Sequence, residues 1–142
     1  MYELSPKETL LPRAVAYLKS QEDVKGKCLY YCRLALALIG VSLPTADLLI
    51  SKYGHSTAIN AYHVISADPS AYGLVRVTQP SVHPIILCYY DNCGRDENGL
   101  ECGHVALWEQ ATDILRSSKD YPNSGYFKSR LVGMFVPAPK TS

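Results

Sequence analysis

A thiol and an imidazole brought together make a nucleophile at neutral pH, and this chain offers one such pair in a suitable setting. Cys28 opens the run Cys28-Leu29-Tyr30-Tyr31-Cys32-Arg33, and His104 stands 76 positions later (104 − 28) in Gly103-His104-Val105-Ala106-Leu107. In such a pair the imidazole takes the thiol proton, the thiolate attacks a carbonyl carbon, and backbone N–H groups hold the oxyanion that forms. The two residues are distant in the chain and must be neighbours in the fold. A third polar group is needed to orient the imidazole.

The elements that position them follow from the surrounding pattern. From Leu29 to Ile39 only Arg33 is charged, which predicts a helix buried on most sides. Gly40 stops it in the left-handed position after the last turn. Cys28 then lies at the helix N-terminus, where unpaired N–H groups, the positive end of the dipole and the nearby Lys25 and Lys27 favour a thiolate. Cys32, one turn on, is the rival nucleophile; inside the helix it lacks those N–H groups and reads as core. Upstream, Ser5-Pro6-Lys7-Glu8 is a capping-box signature, Leu10, Leu11, Val15 and Leu18 recur at helical spacing, and Pro12 bends or restarts that helix. Downstream, Thr45 caps a helix to about Tyr53, ended by Gly54, and Ser56 caps another through Ala61 to Ile65.

The second half changes character. Strand-like runs cover Leu74–Val77, Pro84–Tyr90, His104–Trp108, Ile114–Ser117 and Leu131–Val136, with Pro, Gly and β-branched or aromatic residues between and within them. Helices first and successive strands after predict an α+β domain, an antiparallel sheet packed on the cysteine helix. The polar stretch from Asp91 to Gly103 delivers the chain to His104.

At 142 residues, 47% hydrophobic and a formal charge of +1, residues 1–142 read as a single domain with one core. The charge balance argues against a nucleic-acid footprint or a polybasic membrane anchor. Leu34–Val41, the longest apolar run, is too short for a membrane span, and Glu3, Lys7 and Glu8 stand where a secretory signal would be apolar. Either the chain works where it is made, or it leaves by a route that needs no such signal, or a leader has been removed.

Rival readings sit beside this one. Cys28 also fits a buried structural thiol. Cys88, Cys93, Cys102 and His104 are four ligands of the kind zinc prefers, although their spacing is not a familiar finger pattern; a disulfide between two of the three cysteines would instead clamp the Asp91–Gly103 loop. Either gives a zinc- or disulfide-stabilised binding module. Gly94, Asp96, Asn98 and Gly99 only faintly echo a calcium loop. His55 and His63 read as surface or capping residues and His83 as a turn residue before proline. Tyr30, Tyr31, Tyr89, Tyr90 and Trp108 lie near the site blocks and could line a groove for a glycan or peptide.

Three blocks in the right order make a family resemblance. Cys28 through Gly40-Val41-Ser42-Leu43-Pro44 resembles the nucleophile helix of the NlpC-type cell-wall peptidases, and Gly26-Lys27-Cys28-Leu29-Tyr30-Tyr31 is similar to the opening of the related CHAP amidases. Gly103-His104-Val105-Ala106-Leu107 resembles the strand that carries their catalytic histidine, and Tyr126-Phe127-Lys128-Ser129-Arg130-Leu131-Val132-Gly133 their last strand. The resemblance implies a papain-like α+β fold and, with no metal, a cysteine endopeptidase or amidase acting on amide bonds of peptidoglycan stem peptides. Cys28 would be the nucleophile and His104 the base. Two features depart from the pattern: His83-Pro84-Ile85-Ile86-Leu87 replaces the usual Gly-Asp opening, and the third catalytic position has no clean match. Arg116 offers no acceptor; of Ser117, Ser118, Asp120 and Asn123, Asp120 is preferred because a carboxylate best stabilises the imidazolium. The expected setting is the cell wall or periplasm, reached from a phage particle or a secretion apparatus, with a carrier or immunity protein as partner. A deamidase or acyltransferase of the same fold is the alternative enzyme.

Overall fold

The computed structural model describes residues 4–21, 27–95 and 98–139; Glu3, Lys25, Gly26 and Asp96 lie outside them. Helix α1 (Leu11–Ser20) follows a single 3-10 turn, Glu8–Leu10, and restarts with Pro12 in its first turn. Ser5 Oγ accepts from the Glu8 N–H at 3.2 Å, which is half of a capping box. The other half is missing because the Glu8 carboxylate turns inward to the His83 ring. His83 is therefore a buried partner of Glu8 rather than a plain turn residue, and both are almost fully enclosed.

Helix α2 (Cys28–Ala37) begins at the cysteine. It ends in a Schellman arrangement: Gly40 has φ +81°, its N–H bonds to Ala37 O, and the Val41 N–H reaches back to Leu36 O at 3.0 Å, as the glycine predicts. The burial is narrower than the apolar run implies. Leu29, Cys32, Ala35 and Leu36 face α1 and the sheet, while Tyr30 is 51% exposed and Leu38 63%; neighbours cover one side of this helix, so its apolar composition overstates its burial.

Thr45 caps α3 (Ala46–Tyr53), which Gly54 ends. Helix α4 (Ala58–Ala67) is capped by Thr57, one residue after the predicted Ser56, through its hydroxyl on the Asn60 N–H.

Besides two further 3-10 turns, Pro69–Tyr72 and Pro80–Val82, the described residues form β1 (Leu74–Arg76), β2 (Ile85–Tyr90), β3 (His104–Glu109), β4 (Ile114–Arg116), β5 (Tyr121–Pro122), a short helix α5 (Gly125–Lys128) and β6 (Leu131–Pro137). The strands form one antiparallel sheet ordered β1-β6-β2-β3-β4-β5. Every residue of β2 is buried, as a central strand covered on both faces must be. Ile85, Leu87 and Tyr89 join the helices in the main core, and Ile86, Cys88 and Tyr90 form a second cluster with Ala106, Leu115 and Phe127 on the other face. The domain is α+β, with the N-terminal helices on an antiparallel sheet. No helix among the described residues is long and apolar enough to cross a membrane.

Candidate active site

Two local structures bring Cys28 and His104 to the lining of one cavity, Cys28 packing on the main core and the His104 ring among Tyr90, Tyr121 and Phe127 at the second cluster. The first is the start of α2: its opening N–H groups have no carbonyl partner within the helix, and α2 packs directly on β3. The second is the turn before His104. Arg95 pairs with Glu101 in an antiparallel bridge and the Cys102 N–H donates to Gly94 O at 2.8 Å, so Gly94–Arg95 and Glu101–Cys102 lie side by side. Gly103 (φ +68°) then passes under the first turn of α4, where the Ile59 N–H donates to Cys102 O at 3.1 Å.

A Cβ at Gly103 would stand 2.8 Å from Tyr90 O and 3.0 Å from Ile59 Cβ. Gly103→Ala combines a positive φ with overpacking against backbone, and is expected to cost about 2 kcal/mol. A denaturant midpoint unchanged from wild type would contradict this.

A cavity of about 540 Å³ opens between the α2 N-terminus, the first turn of α4 and the β3 entry, and both Cys28 and His104 line it. Burial pushes the Cys28 thiol up, while hydrogen bonds from the backbone of Val105, Leu29 and Cys28 itself pull it down; the nearby Cys102 raises it again. Groups that lower a thiol's pKa do so by favouring the thiolate, and here they are backbone groups of the α2 start and of β3. The net direction is upward. The helix terminus and lysines implied a resting thiolate, but enclosure outweighs them.

Burial likewise lowers the His104 imidazole, from 6.5 to about 4. Its ring is held by Tyr90, Tyr121 and Phe127 at centroid distances of 6.0, 5.7 and 5.3 Å. Among the described residues nothing bonds its buried Nε2. At neutral pH the resting pair is thus a thiol and a neutral imidazole, the protonation states from which proton transfer to the base begins.

The His104 shift is also a statement about stability. Between pH 4 and 6.5 the unfolded histidine binds more protons than the folded one, so stability rises with pH through this window. The His104 contribution is complete above 6.5 and disappears towards 4, worth about 3 kcal/mol in all. Melting curves of wild type and His104→Gln across that window should show the slope flattened in the variant; equal slopes would mean another group sets it.

Asp120 takes a different partner. Its Oδ2 accepts from Arg116 Nη1 at 2.7 Å, and Arg116 Nη2 also binds Glu109 at 2.9 Å; the pairing raises the Arg116 guanidinium against burial, while the Thr112 hydroxyl, and after it Arg116, lowers Glu109. Its neighbours Ser118, Lys119 and Tyr121 line the cavity. Asp120→Ala should shift that segment and lower turnover roughly ten- to hundredfold, the scale of small misplacements near a reacting group. Wild-type turnover would remove Asp120 from the site.

The other sequence candidates fall as follows. Cys32 is fully buried, its Sγ 3.7 Å from Val105 O. Cys88 lies inside the second cluster while Cys93 and Cys102 line the cavity. Among the described residues no three His, Cys, Asp or Glu side chains group to hold a metal, so the Cys88, Cys93, Cys102 and His104 set does not assemble as a zinc site. Cys88 and Cys93 are both thiols. His55 and His63 are exposed. Of the aromatic residues expected to line a groove, Tyr30 does so, whereas Tyr89 and Tyr90 are core and Trp108 bonds Asp113 at 2.9 Å at the far end of β3. Sequence reasoning missed Tyr121 and Phe127, whose signal was the dense aromatic spacing of 121–127. The block matched to a last strand begins instead as helix α5. There Arg130 stacks 3.8 Å from the Tyr126 ring centroid and donates to Asn92 O at 3.1 Å, tying that block to the His104 approach.

A cysteine heading a helix, packed on an antiparallel sheet whose strand carries the histidine, defines a papain-like α+β fold. A solved structure shares it: a chain of the type VI native effector-immunity complex Tae3-Tai3 from Ralstonia pickettii superposes with a TM-score of 0.54 at 17% identity, covering 90% of this chain and 98% of that one. No protein-family model matches the sequence, and no curated protein matches it significantly.

Proposed function

We propose that this protein is a cysteine hydrolase that cleaves amide bonds of peptidoglycan stem peptides as a type VI-like effector in the periplasm, countered by an immunity protein. The observation that supports the reading is the cavity that both Cys28, at the start of α2, and His104, at the start of β3, line. The fold shared with a chain of an effector-immunity complex supports the setting and the partner.

In the proposed reaction the His104 imidazole accepts the Cys28 proton as Sγ attacks the amide carbon. The C–N bond breaks, the proton passes to the leaving amine, and water hydrolyses the thioester to return the thiol. The N–H groups of Cys28 and Leu29 receive the oxyanion. Asp120, held by Arg116, contributes through the segment whose Tyr121 packs on His104.

The test is digestion of purified sacculi followed by mass spectrometry of the soluble fraction. The expected products are stem-peptide fragments that have gained one water across a single amide. Sacculi left intact under both reducing and non-reducing conditions would overturn the peptidoglycan assignment.

A further inference from the structure

The charges lining the cavity are of one sign. Lys27, Arg33, Arg95 and Lys119 are there, and no carboxylate is, among the described lining residues. Outside the cavity, Arg116 is held between Glu109 and Asp120. None of the four cavity cations forms an ion pair with a described carboxylate. Arg95 is occupied by Gly99 O and Asn92 Oδ1. Arg33 is the least satisfied: its Nε donates to Pro44 O at 3.1 Å, and its Nη2 is buried with no partner. Helices α2, α3 and α4 all begin at the cavity, at Cys28, Ala46 and Ala58, and each adds the positive end of its dipole.

A guanidinium in the wall of an electropositive cavity, beside Tyr89 and with no ion-pair partner, lacks an anion of its own geometry, and a carboxylate, which takes two parallel N–H bonds from Arg, supplies it. We propose that Arg33 is a specificity residue that binds a free carboxylate on the substrate residue flanking the scissile amide, with Lys27 and Lys119 adding attraction at longer range. The cavity then reads an acidic peptide and discriminates against the same peptide amidated. This rests on the hydrolase reading for its substrate, but the recognition is a binding property and is measurable without turnover.

The experiment uses Cys28→Ala protein, which holds substrate without cleaving it, and two synthetic γ-D-glutamyl stem tetrapeptides, one with free carboxylates and one with every carboxylate amidated. Titration calorimetry should show the free acid binding at least tenfold more tightly at low salt, and Arg33→Met in the same background should abolish that preference. Arg33→Lys should restore only part of it, because an ammonium keeps the charge but not the fork. Equal binding of the two peptides, binding of neither, or a preference that survives Arg33→Met each overturn the proposal. Acid-selective binding by the Cys28→Ala protein combined with intact sacculi under the wild-type protein would retain this site and reject the hydrolase.

Discussion

Replacing Cys28 with alanine is expected to lower fragment release from peptidoglycan at least about a thousandfold, because removing the nucleophile of a concerted pair removes nearly all that the pair contributes. The fold should survive. Cys28 lies at the edge of the main core rather than within it, and losing its sulfur vacates space already open to the cavity. Melting temperature near wild type, with activity abolished, is the expected pair of results. Cys32→Ala should do the reverse: its side chain is wholly enclosed between α2 and β3, so stability falls while a correctly folded fraction keeps its turnover. Activity retained in Cys28→Ala would place the chemistry on another residue.

The second large effect is at His104. With glutamine there the site loses its base, a loss of about a hundred- to ten-thousandfold in kcat. The ring's aromatic enclosure sets the pH dependence of the wild-type enzyme as well. Because burial holds the imidazole at about 4, kcat/KM for the free enzyme should rise through that pH and be level by neutrality, rather than climbing through the ordinary histidine range. An acid limb centred in the ordinary range would mean that the working histidine is solvated, and that Tyr90, Tyr121 and Phe127 do not enclose it during turnover.

Much of this site was legible because its determinants are local. The start of α2 at Cys28, its end at Gly40, the Thr45 cap and the five main strand runs each follow from a few adjacent residues. What escaped depends on contacts across the fold. Ser56 and Thr57 are adjacent hydroxyls, and the choice between them is made by the first turn of α4 docking Ile59 N–H onto Cys102 O. Glu8 and His83, 75 residues apart, meet only because α1 lies beside the entry to β2. The exposed side of α2 carries the same apolar residue types as its buried side, so composition could not tell them apart. The direction of the Cys28 shift escaped for a related reason: helix N-terminus and lysines are visible in the sequence, whereas enclosure by α4, Cys93 and Cys102 is a tertiary fact. Asp120 met the chemical requirement for an orienting group, but a strong donor, Arg116, lies four residues away and claims it.

The central claim is that Cys28, served by His104, attacks a substrate amide carbon. The most direct test is capture: a stem peptide with an aldehyde or vinyl sulfone in place of the scissile amide, incubated with the protein and read by intact mass and peptide mapping. One adduct is predicted, on Cys28, absent from Cys28→Ala and formed more slowly in His104→Gln. Modification falling first on Cys93 or Cys102, or a rate that is the same without His104, would contradict it.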